Sequence, residues 1–297
     1  MTTKLNLGES KYYYITLAIR KWGHSAKIED IKAFAESLGL PIQMIKASRD
    51  LLPDESSLKS MVTIKNAAKN LLNKKAINSD LHGWNLIRQE NIQSTVDELK
   101  ILKKQYEEQV EDFLETRYEK LKEIYRTEYP KAFSESAYPS KNELKAKFSF
   151  DWKLIEMNVG NIESLKDVDP ALYKVELKKF KEELDEIRET AKNAMASEIL
   201  QRVQTLSEQC EKGKVNGNTL SGIFSFLDRF ESVYSDILSK DRVTKIIKEV
   251  KMILEDVDSQ MFKVDADLRG IIGEEMKKAV TEIKNIPGVK LSRSIDL

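Results

Sequence analysis

Chain breakers are scarce where they would matter most. Between Asn78 and Pro130 there is no proline and one glycine, Gly83, and between Pro170 and Gly213 there is neither. The whole 297-residue chain has 11 Gly and 6 Pro, where ordinary usage of roughly 7% and 5% would give nearly double. Two uninterrupted stretches of this length, rich in Glu, Lys and Leu, predict long helices.

The first is expected over 81–129. Ile92, Leu99, Tyr106 and Phe113 recur in one seam position, while Val96, Val110 and Ile124 share the other with Lys103 and Arg117. Two cations in the seam predict an imperfect coiled coil, of the kind an antiparallel hairpin arm uses. At 1.5 Å per residue such a helix reaches on the order of 70 Å. Asp169-Pro170 opens the second helix as an acidic cap with proline at its first position. Leu177, Leu184 and Ala191 with Phe180, Ile187 and Ala194 keep a heptad. The stripe then shifts through Met195 and Ile199 to Val203, Leu206 and Cys210, like a stutter. Antiparallel pairing of the two long helices is the simplest topology. Three amphipathic helices are expected over 219–238, 241–261 and 266–286, before Pro287-Gly288 and a loose tail.

Two segments break the helical period. In 12–22, Ile15, Leu17 and Ile19 alternate with Thr16, Ala18 and Arg20, and in 145–157 Phe148, Phe150, Trp152 and Leu154 alternate with Lys147, Ser149, Asp151 and Lys153. Period two predicts strands. Because an isolated strand leaves its backbone unpaired, the two are expected in one small sheet. Helices are expected over 28–38 and 42–52, and another to about Lys75 through Leu58, Met61, Lys65, Ala68 and Leu72. The fold class is therefore mainly α: a long antiparallel helical hairpin, a small aromatic sheet and a C-terminal helical bundle. The expected domains are 1–78, 79–212 with the strand insert at about 145–157, and 213–297.

Charge excludes several function classes. The 49 basic and 49 acidic residues cancel, so neither nucleic-acid nor membrane attraction can be a property of the whole chain. No run reaches the roughly 18 apolar residues of a membrane span, and the N-terminus lacks a signal-peptide core. One cysteine forbids an internal disulfide, which suits a reducing compartment and a cytoplasmic address.

Catalytic patterns are weak throughout. His24, His82 and Cys210 have no metal-ligand spacing, and Cys210 continues an apolar helical stripe as a packing thiol. Asp265, Asp267 and Gly270 imitate the start of a calcium loop, but Arg269 and Met276 occupy ligand positions; a helix start capped by Asp267 is the better reading. Gly213-Lys214 and Gly217-Asn218 do not make a phosphate-binding loop. Acidic pairs such as Glu182-Glu183 and Glu274-Glu275 read as solvated faces with nearby lysines. No catalytic, cofactor-binding or metal-binding residue is assigned, and no cofactor is expected.

Binding surfaces remain. The seam residues Tyr106, Val110, Phe113 and Arg117 are the candidates for contact with a protein partner or a second copy. Lys178-Lys179 with Lys181 form one basic patch. Lys141, Lys145 and Lys147 beside Phe148, Phe150 and Trp152 form the other, and are candidates for stacking and neutralising a single-stranded nucleic acid. The competing expectation is that these aromatics are the sheet's core face. Tyr12-Tyr13-Tyr14 places at least one ring away from its neighbours, another candidate contact.

Ile19-Arg20-Lys21-Trp22-Gly23 followed by Lys27-Ile28, the long helix ending near Phe113 and Tyr118, and Tyr138-Pro139-Ser140 leading to Phe148-Ser149-Phe150 together form a pattern. With the Gly213-Lys214 loop before a helix carrying Phe230, it resembles a bacterial and phage family of uncharacterised helical proteins. Genes of that family sit beside a MoxR-like AAA+ ATPase and a von Willebrand factor A-type protein. The resemblance implies a non-catalytic component acting with an ATPase, and carries over no catalytic residue. The combined expectation is a phage or bacterial interaction or scaffold protein, homo-oligomeric or bound to a protein partner through its helical arm.

Overall fold

A computed structural model gives the architecture, and it describes residues 11–27, 36, 38, 39, 41, 48–52, 58–78, 83–130, 133–156, 164–258 and 260–291. The protein is mainly helical with a small sheet. Its elements in order are β1 (Tyr12–Arg20), β2 (Ser25–Lys27), β3 (Ser48–Asp50), α1 (Lys59–Lys75), β4 (Ile77–Asn78), β5 (Trp84–Arg88) and α2 (Gln89–Asp112). A π-helical turn at Phe113–Arg117 leads to α3 (Tyr118–Glu128), α4 (Lys141–Lys145), β6 (Ser149–Glu156) and α5 (Pro170–Glu211). Then come α6 (Gly217–Arg229), a second π turn at Phe230–Tyr234, α7 (Arg242–Leu254), α8 (Met261–Val264) and α9 (Ala266–Lys284).

The strand order β4–β5–β1–β6 joins the two aromatic strands as neighbours, as their period required. The long helix expected over 81–129 starts later, at Gln89, because Trp84–Arg88 form β5. Leu86 and Ile87 are both buried, and antiparallel pairing of Ile77 with Leu86 satisfies backbone that would otherwise lie unpaired in the core. The helix expected over 28–38 lies almost wholly outside the described residues, as do residues 42–47 of the next. Within the latter, Ser48–Asp50 are strand, paired antiparallel with β2. Lys145, the first residue of the strand region expected over 145–157, instead ends the helix Lys141–Lys145, which Ser140 and Glu143 start with a capping box in which the Glu143 carboxylate accepts from the Ser140 amide at 2.8 Å. The strand itself begins at Ser149.

The chain divides into two compact units: Met1–Ile15, Leu72–Gln93 and Leu154–Leu297 form the first, and Thr16–Leu71 and Ser94–Lys153 the second. In the first unit α5 is the axis. Asp169 caps it, accepting from the amides of Ala171 and Leu172, with Pro170 at its first position. The stripe Ile187, Ala191, Met195, Ile199, Val203, Leu206 and Cys210 is buried against residues of α6, α7 and α9. Its closest crossing is with α9: a Cβ on Gly273 would lie 3.1 Å from that of Cys210, and the Ser207 hydroxyl donates to the Gly273 carbonyl at 3.2 Å. Asp265, rather than the expected Asp267, caps α9 by accepting from the Leu268 amide at 2.9 Å.

The second unit is built on aromatic rings. Trp22 meets Tyr118 edge-on at 5.9 Å and Phe113 at 6.5 Å, Phe113 meets Phe148 at 6.2 Å, and Tyr106 meets Phe150 at 5.7 Å. Three phenol hydroxyls tie the rings to backbone carbonyls: Tyr106 to Arg20 at 2.6 Å, Tyr118 to Pro139 at 2.6 Å and Tyr138 to Leu51 at 3.0 Å. From α1, Met61, Ala68 and Leu71 are buried, as is Leu58 just before it.

The helix α5 makes a direct test. Ile199→Ala, at a fully buried site, should cost about 2–5 kcal/mol in a urea titration, as core truncations do. Val175→Ala, on the same helix but 50% exposed, should change stability by less than about 0.5 kcal/mol.

Candidate interaction surfaces

Three of the four seam residues proposed for partner contact, Tyr106, Val110 and Phe113, are buried in the second unit, and only Arg117 is exposed. The π turn produces this split. The Tyr118 amide bonds to the Phe113 carbonyl, five residues back, so the inward face passes from Phe113 to Tyr118. Arg117 is swung out to pair with Asp112 at 2.9 Å. Lys103, the other seam cation, pairs with Asp151 at 3.0 Å and lies over the Trp152 ring at 5.9 Å. Burial pushes the Tyr106 phenol up to about 12.

The structure brings Tyr106 and Val110 together with part of the second candidate set. A groove of about 340 Å³ is lined by Tyr106, Val110, Phe148 and Phe150, with Glu107, Glu111 and Lys145 also on its walls. The alternation of the strand settles its aromatics differently. Phe148 and Phe150 are buried, Trp152 is half-buried, and Leu154 is exposed. Lys145 and Lys147 are exposed, and Lys141 pairs with Glu115 at 3.2 Å. A base cannot stack on rings already packed against Phe113 and Tyr106, so the exposed lysines and the buried aromatics do not form one stacking surface.

Of the three N-terminal tyrosines, Tyr12 is buried, and the Tyr14 hydroxyl donates to Glu183 at 3.0 Å and meets Trp84 edge-on at 6.4 Å. Tyr13 is half-buried.

A surface that seam positions alone did not single out lies at the start of α5. No residue from 170 to 183 is buried, and the first that is, Leu184, comes four turns in. This stretch nevertheless carries Leu172, Tyr173, Val175, Leu177 and Phe180, and Val168 just before it is 77% exposed. The signal was present in the sequence as a heptad without breakers, but periodicity cannot say which turns of a long helix find cover. Lys178 and Lys179 of the basic patch pair within the helix, with Glu182 at 3.6 Å and Glu176 at 2.7 Å.

Among the described residues no group of three His, Cys, Asp or Glu side chains could hold a metal; His82 lies outside them. His24 stands 3.8 Å from Asp50 and meets Trp22 edge-on. Cys210 is a buried free thiol, as its stripe position required. Glu274 and Glu275 pair with Lys277 and Lys278 at 2.8 and 2.6 Å, the solvated-face arrangement. Among the described residues no helix is long and apolar enough to cross a membrane.

These features define a mainly helical protein of two compact units. Residues 11–273 match the family model described as protein of unknown function, DUF3150. The chain belongs to that family. No curated protein and no solved structure matches it.

Burial raises the Cys210 thiol to about 11, with Arg269 opposing in part. The folded state therefore favours the neutral thiol, and its contribution to stability is complete below the ordinary value of 9.0 and lost as pH rises through about 11. Urea titrations should show the advantage of the wild type over Cys210→Ala shrinking across that window. An advantage constant from pH 8 to 11 would show that the thiol is not desolvated.

Proposed function

We propose that this protein is a non-catalytic scaffold of phage or bacterial origin that self-associates through the free end of α5. The observation that carries the reading is the stretch 170–183, which carries the large apolar side chains Leu172, Tyr173, Val175, Leu177 and Phe180 and buries none of them. The arm expected from the heptads is confined in this reading to α5, and the C-terminal helices act as the bundle that holds its base.

Charge chooses the partner. With Leu177 and Phe180 in the two seam positions, Asp169 and Glu176 flank one side of the seam and Lys174 and Lys181 the other. In a parallel pair of copies, Asp169 of one faces Lys174 of the other, and Glu176 faces Lys181, the arrangement that sets partner and orientation in coiled coils. An antiparallel pair would set like charges together. Glu176 now pairs with Lys179 on its own helix, an exposed contact worth little, so exchanging it costs little. The pair has to fork at Leu184, where each helix turns the same face into its own core.

The family resemblance suggests a MoxR-like AAA+ ATPase as the partner of the assembly and the cytoplasm as its place. Single-stranded nucleic acid has less support as a partner, because Phe148 and Phe150 are buried.

Size exclusion with light scattering should give a dimer that Phe180→Glu converts to monomer with an unchanged far-UV circular dichroism spectrum. Reversing Lys174 and Lys181 to Glu should weaken it likewise. A wild-type chain that stays monomeric at high concentration would overturn the reading.

A further inference from the structure

In the first unit, one carboxylate holds two guanidinium groups. Glu198 on α5 accepts from Arg202 at 2.7 Å through one oxygen, and from Arg229 of α6 through the other. The three side chains are only 26–32% exposed. Among the described residues no second carboxylate pairs with either arginine. The cluster therefore keeps one uncompensated positive charge in partly desolvated surroundings.

A comparison within the molecule shows that this imbalance is not forced by packing cations on rings. In the second unit Lys122 and Arg126 lie over Tyr138 and Phe133, but there two carboxylates, Glu123 and Glu135, answer two cations. At Glu198 the count is one against two. The guanidinium of Arg202 lies over Phe226 at 5.5 Å and that of Arg229 over Tyr234 at 5.9 Å, so each cation has an aromatic face beside it. The Nε atom of each is buried without an acceptor. A Cβ on Gly222 would stand 3.0 Å from Arg202 Nη1 and would push that guanidinium aside.

We propose that Arg202 and Arg229, oriented by Glu198, form a binding site for an oxyanion, either a carboxylate or a phosphate group. Each guanidinium presents five donors in a planar fork suited to two parallel bonds with such a group, and Glu198 takes one donor from each. The incoming anion neutralises the residual charge and accepts from the Nη donors that Glu198 leaves open. Glu198 is a positioning residue: it holds both forks close together and competes with the ligand.

The test is a titration of the full chain followed by the arginine Nε–Hε signals in NMR, at constant ionic strength, with inorganic phosphate in one arm and acetate in the other. Loss of single signals in Arg202→Lys and Arg229→Lys assigns the two residues. The expected result is a saturable shift of both, absent from the exposed Arg126, and about tenfold weaker in Gly222→Ala, the loss of one charge-assisted bond. Saturation by phosphate alone identifies a phosphate ligand, and by acetate alone a carboxylate. Shifts that rise linearly in both arms, or that Arg126 shares, overturn the site. Dimer formation is read separately, so either result stands whether or not the chain self-associates.

Discussion

One helix has to live in two environments, and the fold is arranged around that requirement. The 42 residues of α5 extend on the order of 60 Å, while their backbone bonding is the same throughout. What changes is the side-chain cover. From Leu184 to Cys210 the apolar stripe is buried, and from Pro170 to Glu183 nothing is. Helix stability in water comes mostly from packing of an apolar face, so the covered portion and the Asp169 cap must hold the uncovered turns in register. The close crossing at Gly273 and Cys210 packs the far end of that covered portion directly against α9.

The second unit solves a different problem, which is how to keep a helix with cations in its seam. Extending Tyr106, Val110 and Phe113 by regular helical steps would bring Arg117 inward at a high desolvation cost. The π turn adds one residue to the turn, sends Tyr118 inward and leaves Arg117 in solvent with Asp112. Such turns are an economical way to change the face of a helix without breaking it. The phenol hydroxyls then donate to backbone carbonyls of Arg20, Pro139 and Leu51, so buried rings also satisfy backbone acceptors.

These cases show what was legible in the sequence. Periodicity found β1, β6 and the whole stripe of α5, because each extends over enough residues for a period to emerge. It missed β5, where Leu86 and Ile87 are adjacent and both buried, so that neither two nor 3.6 describes the pattern. It read Arg117 as a flaw in a seam, since a one-residue insertion in the hydrogen-bond ladder leaves no mark on composition. The buried state of Phe148 and Phe150 was one of two expectations, because alternation reports that two faces differ and not which one meets solvent. The Glu198 cluster was invisible: its arginines are four and 31 residues away, and only the α5–α6 packing brings them together.

Net neutrality looks different once the charges are placed. Several carboxylates on the helices answer a lysine or arginine three or four residues away, as Glu176 answers Lys179, Glu189 answers Lys192 and Glu249 answers Lys245. Such pairs cancel locally and contribute little to stability in solvent. Function has then to be sought where cancellation fails in a desolvated place, since an exposed excess is screened by water and salt within a Debye length. Lys277 between Glu211 and Glu274 is an excess of the opposite sign, but it lies in solvent at 46–66% exposure, where the surplus charge needs no ligand. At Glu198 the surplus is shielded from water by Phe226 and Tyr234, and the same imbalance there becomes a demand for an anion.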